Sequence, residues 1–177
     1  EDITARLPRA PSEKNGKRIA CIGAGTASLT VANDLMPLGY DVTIFEALNK
    51  PGGLMLSNIP AFRLPESVIG EEIGYIVDMG VNLKLGERVE SLKKLLKSGK
   101  FDAVFIGSGA PKGKELNLPG RDATDRIHIG ITWLESVAFD HIKTIGERVL
   151  IIGVGNTAMD CCRTSLRLGA KNVKVMA

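Results

Sequence analysis

Residues 18–25 read RIACIGAG, a largely apolar run that ends in two glycines. Residues 148–155 read RVLIIGVG and repeat that pattern later in the chain. Each run leads into a segment of helical character and then into a second alternating run, at 41–45 and at 172–176. The sequence therefore predicts two β–α–β units, each opened by a strand that ends at a glycine turn.

The first unit is followed by enough chain to complete a sheet. The pattern predicts a helix at 65–79, a strand at 81–85 and a short helix at 92–96. A buried parallel strand at 103–106, an exposed connection at 111–126 and a helix at 133–142 follow. Alternating strands and helices of this kind indicate an α/β fold with a doubly wound parallel sheet. The second unit stops after its second strand, so we expect the chain to be a fragment whose second domain is truncated.

Composition narrows the classes of function. Of the 177 residues, 44% are hydrophobic and 24% are charged, and the net charge is +3. Basic residues do not alternate with aromatic residues in any run, so nucleic acid is not an expected partner. The sequence has neither a long apolar span nor the apolar core of a signal peptide, and we expect a soluble, cytoplasmic protein that makes no membrane contact. Three cysteines without a C-x-x-C pair and two histidines give poor material for a metal site.

The first glycine turn has the features of a diphosphate-binding site. Gly23 permits a tight turn and Gly25 permits close approach of a phosphate, while the free amides of the helix start would point at the negative charge. Glu46 ends the next strand, where a carboxylate would accept hydrogen bonds from ribose hydroxyls. Ser28 replaces the third small residue of the G-x-G-x-x-G/A pattern at little cost in bulk. The alternative interpretation is that the two glycines simply terminate a strand in a sheet that binds nothing.

The second glycine turn satisfies the same pattern with Gly153, Gly155 and Ala158. Alignment of the two units, with one inserted residue, places Ala177 where Glu46 stands in the first. A missing carboxylate favours NADP over NAD, because an acid there would repel a 2′-phosphate. Ala177 could equally be an ordinary strand end. The side chains of Asn156 and Thr157 are candidates to cap the helix start.

Two unlike dinucleotide units in tandem imply two different dinucleotides. The acid in the first unit favours FAD, and its absence from the second favours NADP(H), with hydride passing from the nicotinamide to the flavin. The cofactors carry this chemistry, so no catalytic side chain is required, and none is assigned.

Several longer stretches resemble a known family. Residues 45–55 (FEALNKPGGLM), 59–65 (IPAFRLP), 103–110 (AVFIGSGA) and 153–160 (GVGNTAMD) are similar to motifs of the NADPH-dependent glutamate synthase small (beta) subunit-like FAD/NAD(P)-binding oxidoreductases. This family also includes the matching part of dihydropyrimidine dehydrogenase. The resemblance covers nearly the whole chain, with departures at Thr26, Ser28, Ser57-Asn58, Ser108 and Val154.

The resemblance implies a division into domains. Residues 1–16 would be an N-terminal linker, 17–145 a Rossmann-like FAD-binding domain, and 146–177 the opening β–α–β of a truncated Rossmann-like NAD(P)H-binding domain. The FAD contacts that it implies are Gly23, Gly25, Thr26, Ala27, Ser28, Glu46, Gly53, Leu54, Arg63, Val89 and Gly109. The NADPH-site residues that it implies are Gly155, Asn156, Thr157 and Asp160, to which the glycine pattern adds Gly153 and Ala158.

The resemblance also implies a redox role and partners. An NAD(P)H-dependent FAD oxidoreductase of this kind would pass electrons to an iron–sulfur domain or subunit and, in glutamate synthase, work with the large subunit. The fragment alone would be inactive. Two other functions stay open: a non-catalytic nucleotide-binding or assembly subunit of a redox complex, and a disulfide reductase of the thioredoxin reductase type. The absence of a C-x-x-C pair argues against the disulfide reductase.

Overall fold

The computed structural model describes residues 6–117 and 119–177. Residues 1–5 of the predicted linker and Leu118 of the predicted connection lie outside the described residues. The strands are β1 Arg18–Ile22, β2 Asp41–Phe45, β3 Asn82–Lys84, β4 Ala103–Ile106, β5 Arg148–Ile152 and β6 Asn172–Met176. The helices are α1 Thr26–Leu35, α2 Leu54–Ser57, α3 Glu66–Val77, α4 Leu92–Lys97, α5 Gly130–Ala138 and α6 Asn156–Arg167.

The chain forms two compact units. The first contains the chain up to Met55 together with residues 66–109, and the second contains residues 56–65 and 110–177. The units divide the chain at different places from the predicted domains 17–145 and 146–177. Those domain boundaries stay a prediction.

The first unit is built on a four-stranded parallel sheet in the order β3-β2-β1-β4. Its central strand β1 buries Ala20 and Cys21 completely, and Leu29 and Ala32 of α1 join the same core. This strand order is that of a doubly wound fold, so the predicted α/β architecture is confirmed. The order places the carboxyl ends of β1 and β4 side by side, at the point where such sheets bind ligands.

Strand β4 corrects one expectation. It pairs with β1 alone among the described residues and lies at the edge of the sheet. Ala103 and Ile106 are exposed, while Val104 and Phe105 are half-buried. The prediction of a buried strand at 103–106 is therefore wrong, because four apolar residues look the same in an edge strand as in an interior one.

The second unit pairs β5 with β6 in parallel, and α6 connects the two strands. Trp133 and Leu134 of α5 pack with Cys161 of α6 to form its hydrophobic core. Helix α5 begins at Gly130, before the predicted start at 133. It ends at Ala138, before the predicted end at 142, since Asp140 adopts a left-handed φ of 60° that a right-handed helix does not continue through. No helix in residues 6–117 and 119–177 has the length and apolar character needed to cross a membrane.

Candidate functional site

The first glycine turn follows β1 and is enclosed by its own sheet. Gly23 has φ +90°, and its amide donates a hydrogen bond of 2.7 Å to the carbonyl oxygen of Phe45. A β-carbon at Gly23 would lie 2.6 Å from the carbonyl oxygen of Gly107, which directly follows β4. Both the dihedral angle and the contact therefore require glycine at this position.

The start of α1 offers free amides. Gly25 is the N-cap residue, and its carbonyl oxygen accepts the first helical hydrogen bond from the amide of Leu29 at 3.1 Å. Within the described residues, the amides of Thr26, Ala27 and Ser28 have no hydrogen-bond partner. These three donors and the positive end of the helix dipole form a site for an anion.

A second loop packs on this turn through backbone alone. The amide of Gly52 donates to the carbonyl oxygen of Ala24 at 2.8 Å. Gly53 has φ +53°, and a β-carbon there would lie 2.9 Å from the Cα of Gly25. Leu54, which begins α2, is 41% exposed. The two glycines thus bring the two backbones into direct contact.

Ser28 occupies the third position of the fingerprint and is completely buried. Its hydroxyl packs directly on Gly107, where any β-carbon would overlap with it. Helix α1 therefore packs closely on the sheet with serine at this position, as the sequence predicts. The cost is an orphaned polar atom, because Ser28 Oγ has no hydrogen-bond partner in the part of the chain that the structure describes.

Glu46 is buried at the end of β2 and is already engaged by the backbone. Its Oε2 accepts a hydrogen bond from the amide of Ala24 at 2.7 Å, and its Oε1 accepts one from the amide of Leu48 at 2.9 Å. Each carboxylate oxygen has a second lone pair, so ribose hydroxyls can still donate to both. The carboxylate therefore ties the end of β2 to the glycine turn and presents further acceptor capacity beside it.

The second glycine turn repeats this backbone geometry. Gly153 has φ +118°, and its amide donates to the carbonyl oxygen of Met176 at 2.7 Å. Gly155 is the N-cap residue of α6, and its carbonyl oxygen accepts from the amide of Met159 at 3.1 Å. The amides of residues 156–158 find no partner among the residues described. This turn too is built to receive an anion.

Two details separate the second turn from the first. A β-carbon at Gly155 would meet nothing within 4 Å, so the turn is open. Within the described part of the chain, the side chains of Asn156 and Thr157 make no capping hydrogen bond, contrary to the role for which they are candidates. Ala158 lies near the turn, 3.9 Å from a β-carbon placed on Gly153. The helix start is thus held by its backbone and left accessible.

The strand register identifies the counterpart of Glu46. Ile22 of β1 pairs with Phe45, and Ile152 of β5 pairs with Met176. The residue after each of these partners is Glu46 in the first unit and Ala177 in the second. The structure therefore confirms that Ala177 stands where the first unit has its carboxylate.

Four further predicted site residues lie apart from the turns. Val89 is half-buried between β3 and α4, and Gly109 is exposed beyond β4 with φ +67°. Arg63 and Asp160, which the resemblance assigns to different cofactors, are bonded to each other: Arg63 Nη1 lies 2.8 Å from Oδ1 and 2.7 Å from Oδ2 of Asp160. Asp160 is buried and is therefore not an ordinary solvated residue of the helix surface.

Gly107 is the structural residue that the sequence analysis did not single out. It closes the first turn from the β4 side, against Gly23 and Ser28. A signal for it was present, since Gly107 directly follows an apolar run of strand length. Its contacts with Gly23 and Ser28 form only because β4 lies next to β1, and local sequence does not predict that strand order.

Comparison with known proteins fits these observations. The family model described as "Pyridine nucleotide-disulphide oxidoreductase" matches residues 17–177. The chain belongs to this family. It is 38% identical to the NADP(+)-dependent formate dehydrogenase subunit beta of Moorella thermoacetica, over 92% of this chain and 23% of that protein. It is 32% identical to the glutamate synthase [NADPH] small chain of Azospirillum brasilense, over 96% of this chain and 38% of that protein.

A solved structure supports the fold of this family member. Mycobacterium tuberculosis FprA in complex with NADPH superposes with a TM-score of 0.72 at 23% sequence identity, over 90% of this chain and 43% of that one. This likeness shows the fold. The chain spans well under half the length of each of these proteins.

Proposed function

We propose that this chain carries the flavin site and the start of the nicotinamide-nucleotide site of an oxidoreductase that transfers hydride from NADPH to FAD. One observation carries the proposal: two strand–turn–helix units in one chain, each with three free amides at the helix start. Family membership supports it. FAD, when bound, supplies an acceptor for two electrons and a donor of single electrons.

The chain's own residues bind and orient in this proposal. The amides of residues 26–28 hold the diphosphate of FAD, and Glu46 accepts hydrogen bonds from its ribose. Contact between Gly53 and Gly25 brings the loop that leads to Leu54 against the turn. The remaining FAD contacts in the first unit are Gly23, Val89 and Gly109. Gly153 and Gly155 form the turn of the NADP(H) site, with the amides of Asn156, Thr157 and Ala158 as donors and Asp160 behind them.

The structure fits both groups by shape. At the first turn a side chain on Gly53 would fill the space in which the backbones meet. At the second, Gly155 faces open space beside free amides. The missing carboxylate at Ala177 favours NADPH over NADH, because no negative charge opposes a 2′-phosphate.

We further propose an electron acceptor outside this chain. The relatives include subunits of glutamate synthase and of formate dehydrogenase. An iron–sulfur domain or subunit is the acceptor that fits a flavin reduced by two electrons and reoxidised one at a time, with a glutamate synthase large subunit as a further partner. The cytoplasm is the compartment that we propose.

Anaerobic reduction tests the proposal directly. The native full-length protein is expected to carry or take up FAD, and the flavin absorbance is expected to bleach with NADPH faster than with NADH. A colourless protein that takes up no FAD would contradict the redox function.

A non-catalytic nucleotide-binding or assembly subunit is the second candidate. The departures from the family's motif at Thr26 and Ser28 of the first turn favour it, and Ser28 Oγ is buried without a hydrogen-bond partner among the described residues. Flavin that binds but does not bleach with NADPH, in the presence of all partner subunits, would support this candidate over the first.

A further inference from the structure

Asp160 is a buried carboxylate close to the proposed dinucleotide turn. It is 5% exposed and lies in the second turn of α6, four residues after the first helical residue, Asn156. With a rise of about 1.5 Å per residue, its Cα lies roughly 6 Å along the axis from the helix start. A charge at that depth lies within the Debye length of about 8 Å and is screened less than a surface charge.

A negative charge in this place opposes the binding of an anion. The diphosphate of a dinucleotide would lie at the amides of residues 156–158, and an uncompensated carboxylate behind them would repel it. Arg63 provides the compensation, since one guanidinium nitrogen contacts both oxygens of Asp160 at 2.8 and 2.7 Å. With the charge of Asp160 cancelled by Arg63, the electrostatic potential at the turn is set by the amides and the helix dipole and is positive.

Arg63 is held in place by its neighbours in sequence. Asn58 Nδ2 donates to the carbonyl oxygen of Ile131 at 2.6 Å. The guanidinium of Arg167, on α6, stacks 3.6 Å from the ring centroid of Phe62. The segment 56–65 is therefore anchored at two positions that precede Arg63, and the pair with Asp160 is preorganised.

We propose that Arg63 is a positioning residue for the nicotinamide dinucleotide. Arg63 neutralises the charge of Asp160, which lies beneath the position of the diphosphate. This inference rests on the proposed function in that a dinucleotide binds at the start of α6. It gives Arg63 a role different from the FAD contact that the resemblance implies. Arg63 acts through Asp160 and makes no contact with the dinucleotide.

Binding of NADP+ to the native full-length protein, measured by calorimetry, tests this role without turnover. Arg63→Met is expected to weaken binding about tenfold, because the buried carboxylate is left unpaired. Arg63→Lys keeps the charge and is expected to stay within about threefold of the wild type. The double variant Arg63→Met/Asp160→Asn removes both charges and is expected to restore wild-type affinity to within about threefold.

Arg163→Met is the matched control. It removes an exposed positive charge from α6, the helix that carries Asp160, without leaving an acid unpaired among the described residues, and we expect an effect of about twofold or less. The flavin content and the melting temperature of each variant report on folding. Should Arg63→Met fail to fold, Asp160→Asn decides alone: tighter NADP+ binding supports the proposal, and weaker binding overturns it, because a carboxylate that contacts the dinucleotide would then be lost.

The remaining outcomes are distinct. A double variant as weak as Arg63→Met overturns the inference while leaving the proposed function intact, since Arg63 would then contact a ligand directly. Wild-type affinity in Arg63→Met also overturns it. If the wild-type protein itself binds neither NADP+ nor NADPH, the proposed nicotinamide site fails and the inference fails with it.

Discussion

The two glycine turns share a backbone design but differ in what surrounds them. Gly23 faces the carbonyl oxygen of Gly107, and Gly25 faces Gly53. The corresponding Gly155 of the second turn has nothing within 4 Å of a β-carbon. The difference arises because β1 lies between two strands, whereas β5 pairs with β6 alone in the described part of the chain.

This contrast separates two reasons for a glycine. At the first turn Gly23 is required by the fold itself, because its φ is left-handed and neighbouring backbone fills the space. At the second turn the left-handed φ of Gly153 also requires glycine, whereas Gly155 has an ordinary φ and open surroundings, so glycine there is required by the ligand that we propose. Substitutions can therefore distinguish a structural glycine from a binding glycine.

The largest expected effect comes from alanine at the two turns. Gly23→Ala is expected to destabilise the first unit by about 3 kcal/mol, because a left-handed φ and a contact with backbone oppose the methyl group. Gly155→Ala, with φ −77° and open surroundings, is expected to change stability by less than about 0.5 kcal/mol while weakening NADP+ binding. Urea unfolding, monitored by amide hydrogen exchange in β1 and β5, measures the change in stability of each variant. Equal losses of stability would contradict the distinction.

Alkaline pH probes a feature that the units share. Burial raises the pKa of the Cys21 thiol from 9.0 to about 11, and burial together with the charges of Asp160 and Cys162 raises the pKa of Cys161 to about 11. Between pH 9 and 11 the unfolded chain releases these protons while the folded chain keeps them. The free energy of unfolding is therefore unaffected by these thiols below pH 9. It is expected to fall by about 2 kcal/mol per thiol as the pH rises to 11.

Urea titrations across this alkaline range measure the loss. Cys161→Ala is expected to reduce the fall in unfolding free energy between pH 9 and 11, because only the Cys21 thiol then contributes to it. Asp160→Asn is expected to lower the pKa of Cys161 and to leave that of Cys21 unchanged, as read from the pH dependence of alkylation by iodoacetamide. An unchanged curve in the variant that replaces both Cys21 and Cys161 by alanine would refute the assignment.

The strand ends offer a test of nucleotide choice. Ala177→Glu places in the second unit the carboxylate that Glu46 supplies to the first. We expect the ratio of NADPH to NADH affinity to fall about tenfold, because the new charge repels a 2′-phosphate and accepts from a 2′-hydroxyl. Ala177→Gln is the control of equal size. An equal change in the two variants would show that charge is not the cause.

The smallest effects concern two orphaned hydroxyls, one in each unit. Ser28 Oγ and Thr164 Oγ1 are buried without a hydrogen-bond partner among the described residues. Ser28→Ala and Thr164→Val are each expected to stabilise the protein by about 1 kcal/mol in urea unfolding, since an unsatisfied polar group is removed. Ser136→Ala, whose hydroxyl bonds to Thr132 at 2.9 Å, is the control expected to give no gain. A loss of stability in both variants would indicate that the hydroxyls have partners.

Local sequence was sufficient where the decisive interactions are local. The apolar run at 18–22 and the glycines at 23 and 25 predicted a strand, a turn and a helix, all of which the structure contains. The alignment also predicted that Ala177 matches Glu46. Strand length and glycine position depend on neighbours in the chain, so a single sequence carries them.

Tertiary structure decided the rest, because contacts between distant segments depend on strand order and helix packing. The edge position of β4, the packing of Gly107 against Gly23, and the engagement of Glu46 by the amide of Ala24 all require β1 to lie between β2 and β4. The bond between Arg63 and Asp160 joins residues 97 positions apart. No periodicity or spacing encodes such a pair, since it forms only when two folded segments pack together.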